Sequence, residues 1–441
     1  MREDIASLFQ TPLFQTVDTR IRKYRRDFHR YAEPGWGEYR TASLIAQRLE
    51  DLGYAVKLGQ EVIAGDARMG LPSEEVMQRQ FERAMSQGAI KEYAERMALG
   101  YTGLVAELEG GNGPTIAFRF DIDAVELGEE CTPGHFPCKE GFVSENEDAM
   151  HACGHDGHMS IGLGLAEVLA EVKDAVQGKV KLIFQPAEEG VRGAKSMVEA
   201  GVLDNVDYLI GFHIGLKAKR SGEFYCGTTG FLATSKFDAT FKGTPAHAGL
   251  APQEGDNALL SAATASLNLH AMPRHGGGAT RINVGKLTAG SGRNVVPADA
   301  HLILETRGGD SALNSYMKEY ARRVLNTSAE MHNTECEITA MGDAESGESD
   351  ETLMTALLES ARAYDLFPEL KDSMAFLGGS EDFTHMMKRV KDNGGKASYC
   401  MLGSDLAGNH HTKSFDFDES VLIQGVKFLA VTALELKDAL E

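Results

Sequence analysis

The chain is short of positive charge. Its 441 residues carry 44 Lys and Arg against 65 Asp and Glu, a formal net charge of −21. Nucleic acid and anionic membranes are gripped through excess Lys and Arg, so neither is expected as a partner. Long apolar runs are absent as well. No stretch approaches the roughly 18 apolar residues of a membrane span. Met1-Arg2-Glu3-Asp4 does not open a secretory signal. Cysteine is scarce: Cys131, Cys138, Cys153, Cys226, Cys336 and Cys400 are scattered without a disulfide-framework spacing. That predicts reduced thiols in a cytoplasmic protein, with Cys131 and Cys138 as two ordinary thiols rather than a second metal pair. Internal repeats and low-complexity tracts are lacking too. What remains is an ordinary globular composition, 42% hydrophobic and 25% charged, on a chain too long for one core.

Helices are expected over 15–32 and 38–53, broken by Pro34-Gly35. Residues 73–98 read as a charged amphipathic helical segment with Val76, Met77, Phe81, Ala84 and Met85 on one face. Ile116, Phe118 and Phe120 alternate in one strand, and Val180, Leu182 and Phe184 in another; 207–213 form a third. Between the first two, Ile161, Leu165, Val168, Leu169 and Val172 recur at helical spacing. Strand–helix–strand order implies an α/β layer with a mainly parallel sheet. Residues 231–342 break this rhythm. A strand through Phe237, Ala239 and Phe241 leads to a helix over about 255–271, strands near 280–288 and 299–306, a helix over about 311–329 and a strand at 334–340. That order is ferredoxin-like. It predicts an α+β domain inserted between 1–230 and 343–441. The first layer resumes with a helix at 351–364, the loop Gly378-Gly379-Ser380-Glu381-Asp382, a strand at 397–402 and a final helix from about 418.

The densest chemistry lies in His151-Ala152-Cys153-Gly154-His155-Asp156-Gly157-His158. Three imidazoles, a thiol and a carboxylate in one short stretch exceed what packing asks for. Glu188-Glu189, His213 and His410-His411 add further ligand-type groups. Transition ions take imidazole nitrogen, thiolate and carboxylate at fixed geometry. Gly154 lets the backbone turn so that Cys153 and His155 face one point. Five mixed ligands are too many for one tetrahedral catalytic ion with an open position; they suit two ions acting together. In open α/β sheets, ligands gather beyond the carboxyl ends of strands, where these residues fall. Glu188, next to Glu189 in a tight loop, is placed to move a proton between water and a leaving amine. Asp121 and Asp123, at a strand end, are either groups that orient a ligand imidazole or Glu188, or turn formers.

The residues His151 to His158, Gln185-Pro186-Ala187-Glu188-Glu189-Gly190, and His411 with Phe415, Asp418 and Glu419 resemble the dinuclear metallo-amidohydrolases. That family includes hippurate hydrolase, aminoacylases, auxin-conjugate hydrolases and carboxypeptidase G. Arg25-Arg26-Asp27-Phe28-His29 through Glu38, Phe118 to Ala124 and Asn294-Val295-Val296-Pro297 extend the likeness over nearly the whole chain. The resemblance implies a mainly parallel-sheet dinuclear-metal catalytic domain with an inserted ferredoxin-like lid and dimerisation domain. It makes Cys153, His155, Glu189, His213 and His411 the ligands of two divalent ions per chain, Mn2+ or Zn2+, and Glu188 the general acid/base. His411 is preferred to His410 because the family's ligand stands four residues before a Phe and seven before an Asp-Glu pair. His247 matches the lid histidine that steadies the oxyanion in a neighbouring subunit. Asn294 and Arg307 match positions that hold substrate polar groups, Arg suiting a carboxylate.

The activity so implied is cleavage of aromatic N-acyl acidic amino acids, with p-aminobenzoyl-glutamate as the first expected substrate. Indoleacetyl-aspartate hydrolysis, general aminoacylase or dipeptidase activity, and a non-catalytic subunit of a hetero-oligomeric hydrolase are the alternatives. A metal storage or sensing protein is a further reading from another class. The assembly is either a homodimer or a hetero-oligomer with a related subunit.

Overall fold

The computed structural model describes residues 2–440. They divide into two compact units. The first holds residues up to Thr229, Glu348–Leu377 and those from His385 onward; the second holds Gly230–Gly347 and Gly378–Thr384.

The first unit is built on an eight-stranded sheet. In order across it lie Ala55–Leu58, Leu104–Glu109, Lys179–Gln185, Thr115–Asp121, Tyr208–Ile214, Lys396–Leu402, Glu223–Tyr225 and Glu369–Lys371. The four central strands are mutually parallel, with Asp121 opposite Gln185 and His213 opposite Met401. Leu104–Glu109 joins the central group antiparallel, and Glu223–Tyr225 does so at the other side. These central strands are buried almost end to end, as the helix-covered strands of a parallel sheet must be.

The helix His155–Glu171 is the spine of this unit. It is buried through Leu169, and its buried acids Asp156 and Glu167 are ion-paired to Arg25 and Arg48. It packs between Pro12–Arg30, whose stripe Phe14, Val17, Ile21 and Phe28 faces the core, and the C-terminal helix Val421–Leu440. Gly164 makes that approach possible: a Cβ there would stand 2.7 Å from both Ile21 and Val426.

The second unit is a four-stranded antiparallel sheet with spatial order Glu335–Ala344, Ala233–Lys242, Asp299–Gly308, Thr280–Ala289. Helices Ala258–His270 and Ser311–Met331 pack on one face over Phe237, Phe241, Leu302 and Leu304. Strand order 4-1-3-2 with two helices is the ferredoxin-like arrangement, so the expected fold class is borne out in both units.

Several local expectations need correction. Cys131 and Cys138 are not free thiols; they form a disulfide across a Cα separation of 5.2 Å. The single helical segment expected over 73–98 is two helices, Glu74–Ser86 and Lys91–Arg96. Gly88, with φ 98°, ends the first by turning the chain left-handed. The loop at 378–382 begins inside a strand, Ala375–Gly379. Among the described residues, no helix is long and apolar enough to cross a membrane.

Candidate active site

Every proposed metal ligand lies in the first unit, at or beyond the carboxyl end of a central parallel strand or at the start of the spine helix. Gly154 takes φ 89° and caps that helix. The turn places Cys153 just before it and His155 in its first turn. Cys153 Sγ lies 3.3 Å from His213 Nε2, at the end of Tyr208–Ile214. His411 Nε2 lies 3.3 Å from Glu189 Oε1, and the His411 N–H donates to the Ala152 carbonyl at 2.8 Å. Donor atoms of Cys153, His155 and His213 lie within 4.8 Å of one another. So do those of Cys153, Glu189 and His411, and those of His155, Glu188 and Glu189.

These residues fit a bound divalent cation. His155 Nδ1 contacts the Asp123 carbonyl at 2.8 Å, which leaves Nε2 aimed into the cluster. That nitrogen is buried and has no hydrogen-bond partner. A buried polar atom left so is costly unless a partner arrives. Charge argues the same way. Burial disfavours the His155 imidazolium, yet Asp121, Asp123 and Glu189 outweigh it and push the pKa up to about 10. Burial and the neighbouring carboxylates of Glu189, Glu188 and Asp121 drive the Cys153 thiol well above its usual range. A cation amid these groups would reverse that cost and favour the thiolate.

The neighbouring histidines are placed differently. His158 Nδ1 meets Asp121 Oδ1 at 2.6 Å, and its Nε2 accepts the Ile214 N–H at 2.9 Å. Both ring nitrogens are used, so His158 is a strut despite lying near Asp121 and His155. His410 turns its Nε2 to the Ile214 carbonyl at 3.1 Å and packs on Phe415. His151, which opens the octapeptide, is buried with neither ring nitrogen hydrogen-bonded, and burial pulls its pKa down to about 3.

Asp123 has a definite task. Its Oδ1 accepts the Glu188 N–H at 3.0 Å and its Oδ2 the Glu189 N–H at 2.9 Å. Asp121 is ion-paired to Arg119, which also donates to Gln185 Oε1 at 2.8 Å. Glu188 Oε2 lies 3.9 Å from His155 Nε2, at the edge of the donor cluster.

Sequence reasoning missed three supports. Arg192 donates from Nε to the Glu189 carbonyl at 2.8 Å and from Nη1 to the Gly70 carbonyl at 3.1 Å. Glu38 accepts the Ala187 N–H at 2.8 Å. Arg25, fully buried, donates to Asp156 at 3.0 Å, to Glu419 at 3.1 Å and to Asp416. The stretches holding Arg25 and Glu38 stood out in the sequence, but neither residue had a role there.

In the second unit, the His247 and Val295 backbones form a β-bridge, and the Ala248 N–H donates to the Asn294 carbonyl at 3.1 Å. His247 and Asn294 are thus neighbours on an exposed loop pair. His247 Nδ1 accepts the Gly249 and Leu250 N–H groups at 3.2 and 3.3 Å, which leaves Nε2 as the protonated donor. Arg307 is elsewhere. From Asp299, near Asn294, to Arg307 the strand runs roughly 26 Å. Its guanidinium is held by Glu305 at 2.9 and 3.2 Å.

Comparison with known proteins agrees with this geometry. A profile of peptidase family M20/M25/M40 matches residues 117–435. The chain is 48% identical over 416 residues to a p-aminobenzoyl-glutamate hydrolase subunit of Escherichia coli (strain K12), covering 94% of this chain and 95% of that one. It is also 48% identical over 413 residues to indole-3-acetyl-aspartic acid hydrolase of Enterobacter agglomerans, covering 93% and 94%. The crystal structure of the aminobenzoyl-glutamate utilization protein from Klebsiella pneumoniae matches with a TM-score of 0.82 and 42% identity, over 96% of this chain and 97% of that one. The resemblance carried by the octapeptide and the Glu188-Glu189 loop is therefore borne out, and the chain, a hydrolase, belongs to peptidase family M20/M25/M40.

Proposed function

We propose that this protein hydrolyses the amide between an aromatic acyl group and the amino group of an acidic amino acid. The first substrate is p-aminobenzoyl-glutamate, giving p-aminobenzoate and glutamate. The observation that carries this reading is the equal 48% identity, across more than nine-tenths of the chain, to two hydrolases whose names pair an aromatic acyl group with glutamate or aspartate. Indoleacetyl-aspartate is accordingly the second substrate.

Cys153, His155, Glu189, His213 and His411 hold two divalent ions, Mn2+ or Zn2+. When bound, the ions supply the Lewis acidity that activates water and polarises the scissile carbonyl. Glu188 takes the proton of the attacking water on its carboxylate and returns it to the leaving nitrogen. Asp123 keeps Glu188 in place through its backbone. His247 offers Nε2–H to the developing oxyanion. Asn294 and Arg307 hold polar groups of the substrate. A substrate of this size cannot touch both the His247–Asn294 pair, near the Asp299 end of strand Asp299–Gly308, and Arg307 at its other end, roughly 26 Å away at 3.3 Å per residue. His247 and Asn294 therefore serve the site of a neighbouring subunit, and Arg307 serves the other. Leu260 and Leu267, exposed on Ala258–His270, and the edge strand Thr280–Ala289 support pairing with a second copy or a related subunit.

The test is a hydrolysis screen of N-acyl-glutamates and N-acyl-aspartates after metal is restored to stripped protein. Aromatic acyl groups on acidic residues are expected to turn over fastest. Faster cleavage of N-acetyl derivatives of neutral amino acids would instead identify a general aminoacylase. No turnover of any substrate would leave a non-catalytic subunit or a metal-storage protein.

A further inference from the structure

We propose that Glu38 is a positioning residue that sets Glu188 and Glu189 as one unit by holding the loop that carries them. This rests on the roles given to those two carboxylates above.

Three consecutive N–H groups of the loop end on two buried carboxylates. Ala187 N–H donates to Glu38 Oε1 at 2.8 Å, Glu188 N–H to Asp123 Oδ1 at 3.0 Å, and Glu189 N–H to Asp123 Oδ2 at 2.9 Å. Ala187 has φ 52°, in the left-handed region that residues with a Cβ avoid. Such a conformation persists only where its surroundings fix it. The loop closes partly on itself, through Arg192 N–H to the Ala187 carbonyl at 3.1 Å. The external grip at the strained residue comes from Glu38.

Glu38 is itself firmly seated. It is fully buried, and its Oε2 meets the Thr102 hydroxyl at 2.5 Å. Its carbonyl accepts the Ala42 N–H at 2.9 Å at the start of helix Tyr39–Asp51. The preceding turn lies flush on the same loop: a Cβ on Gly35 would stand 3.0 Å from Ala187 Cα. A buried carboxylate is costly, and packing alone calls for an apolar side chain there. An acceptor at this reach gives the Ala187 N–H its partner. Glu33, five residues earlier and also buried, supplies the contrast. Its oxygens accept the Arg40 and Thr41 N–H groups at 2.9 and 2.8 Å and so cap the helix, not the loop.

Reach, acidity and general stability are separated by three variants. Glu38→Gln keeps length and acceptor but removes the titratable group. Glu38→Asp keeps a carboxyl group but withdraws the acceptor by one methylene. Glu33→Ala tests loss of a neighbouring buried carboxylate. Two readouts are taken: amide hydrogen exchange of residues 186–193 in the metal-free protein, and kcat and KM after metal loading. Glu38→Asp is expected to speed exchange of the loop at least about tenfold and to lower kcat about 10- to 100-fold, the usual scale for a group that orients a ligand, with KM little changed. Glu38→Gln stays near wild type on both readouts. Glu33→Ala lowers the melting temperature while loop exchange and kcat hold. Wild-type exchange in Glu38→Asp, or an equal loss in Glu38→Gln, overturns the proposal. Should Glu38→Asp fail to fold, Thr102→Val decides by loosening Oε2: faster loop exchange supports the role and unchanged exchange overturns it. A wild-type protein with no turnover would count against the proposed function alone, since the exchange arm needs neither metal nor substrate.

Discussion

Cys153 Sγ and His213 Nε2 stand 3.3 Å apart although 60 residues separate them. One sits at the turn before the spine helix and the other at a strand end, so only the assembled sheet brings them together. Their donor atoms and that of His155 form a buried cluster that could hold a metal ion. Cys153→Ala is therefore expected to lose metal and activity together while the melting temperature of the metal-free protein changes little. Metal content by elemental analysis checks this. Wild-type metal content in the variant would remove Cys153 from the ligand set.

Arg25 binds Asp156, Asp416 and Glu419 with no exposure to solvent. Two aromatic rings, Phe417 at 4.4 Å and Phe142 at 5.0 Å, cover its guanidinium. Arg25→Met fills the space but leaves three buried carboxylates without their shared partner. The expected cost is about 3–5 kcal/mol in denaturant unfolding, as for other broken buried ion pairs. A loss below about 1 kcal/mol would mean that water or Arg26 takes over.

His29 gives a pH signature. Its ring nitrogens lie 2.9 Å from Asp156 and 3.0 Å from Glu129. Burial disfavours the imidazolium, but the two carboxylates outweigh it and raise the pKa from 6.5 to about 9. A raised pKa stabilises the fold fully below the unfolded value, and that contribution is lost as pH rises through about 9. Unfolding midpoints measured from pH 6.5 to 10 should fall, and His29→Asn should flatten the decline. An identical slope in the variant would assign the loss to other groups.

His247 allows a test of assembly. His247→Ala and Glu188→Gln are each expected to be inactive. Mixed, they can form a dimer in which one site joins an intact Glu188 to an intact His247 from the other chain. Recovery of up to about half of wild-type activity per mixed dimer is expected, because one of two sites is whole. No recovery, with subunit exchange demonstrated, would place His247 in its own chain's site or outside the chemistry.

Much of the architecture was legible because its signals are local. Alternation in 116–120 and 180–184 marks strands, and the β-α-β-β-α-β order of the second unit needs only element sequence. The ligand-rich octapeptide is local too. What the sequence hides is contact at long range. Glu38 reaches Ala187 across 149 positions and Arg25 reaches Glu419 across 394, and no periodicity announces either. Asn294 and Arg307 look close in sequence, yet an extended strand drives them apart. Cys131 and Cys138 read the same in sequence whether free or bonded; the fold brings their Cα atoms to 5.2 Å, within disulfide reach, and the two are bonded.

The central claim is that two ions, with Glu188 as proton carrier, act at this cluster. It is tested most directly by titrating metal-stripped protein with Mn2+ or Zn2+ while following p-aminobenzoyl-glutamate hydrolysis, in wild type and in Glu188→Gln. Activity is expected to saturate at about two ions per chain. Glu188→Gln should bind the same number with a rate at least about 10²-fold lower. Full activity at one ion per chain, or wild-type turnover in Glu188→Gln, would contradict the account.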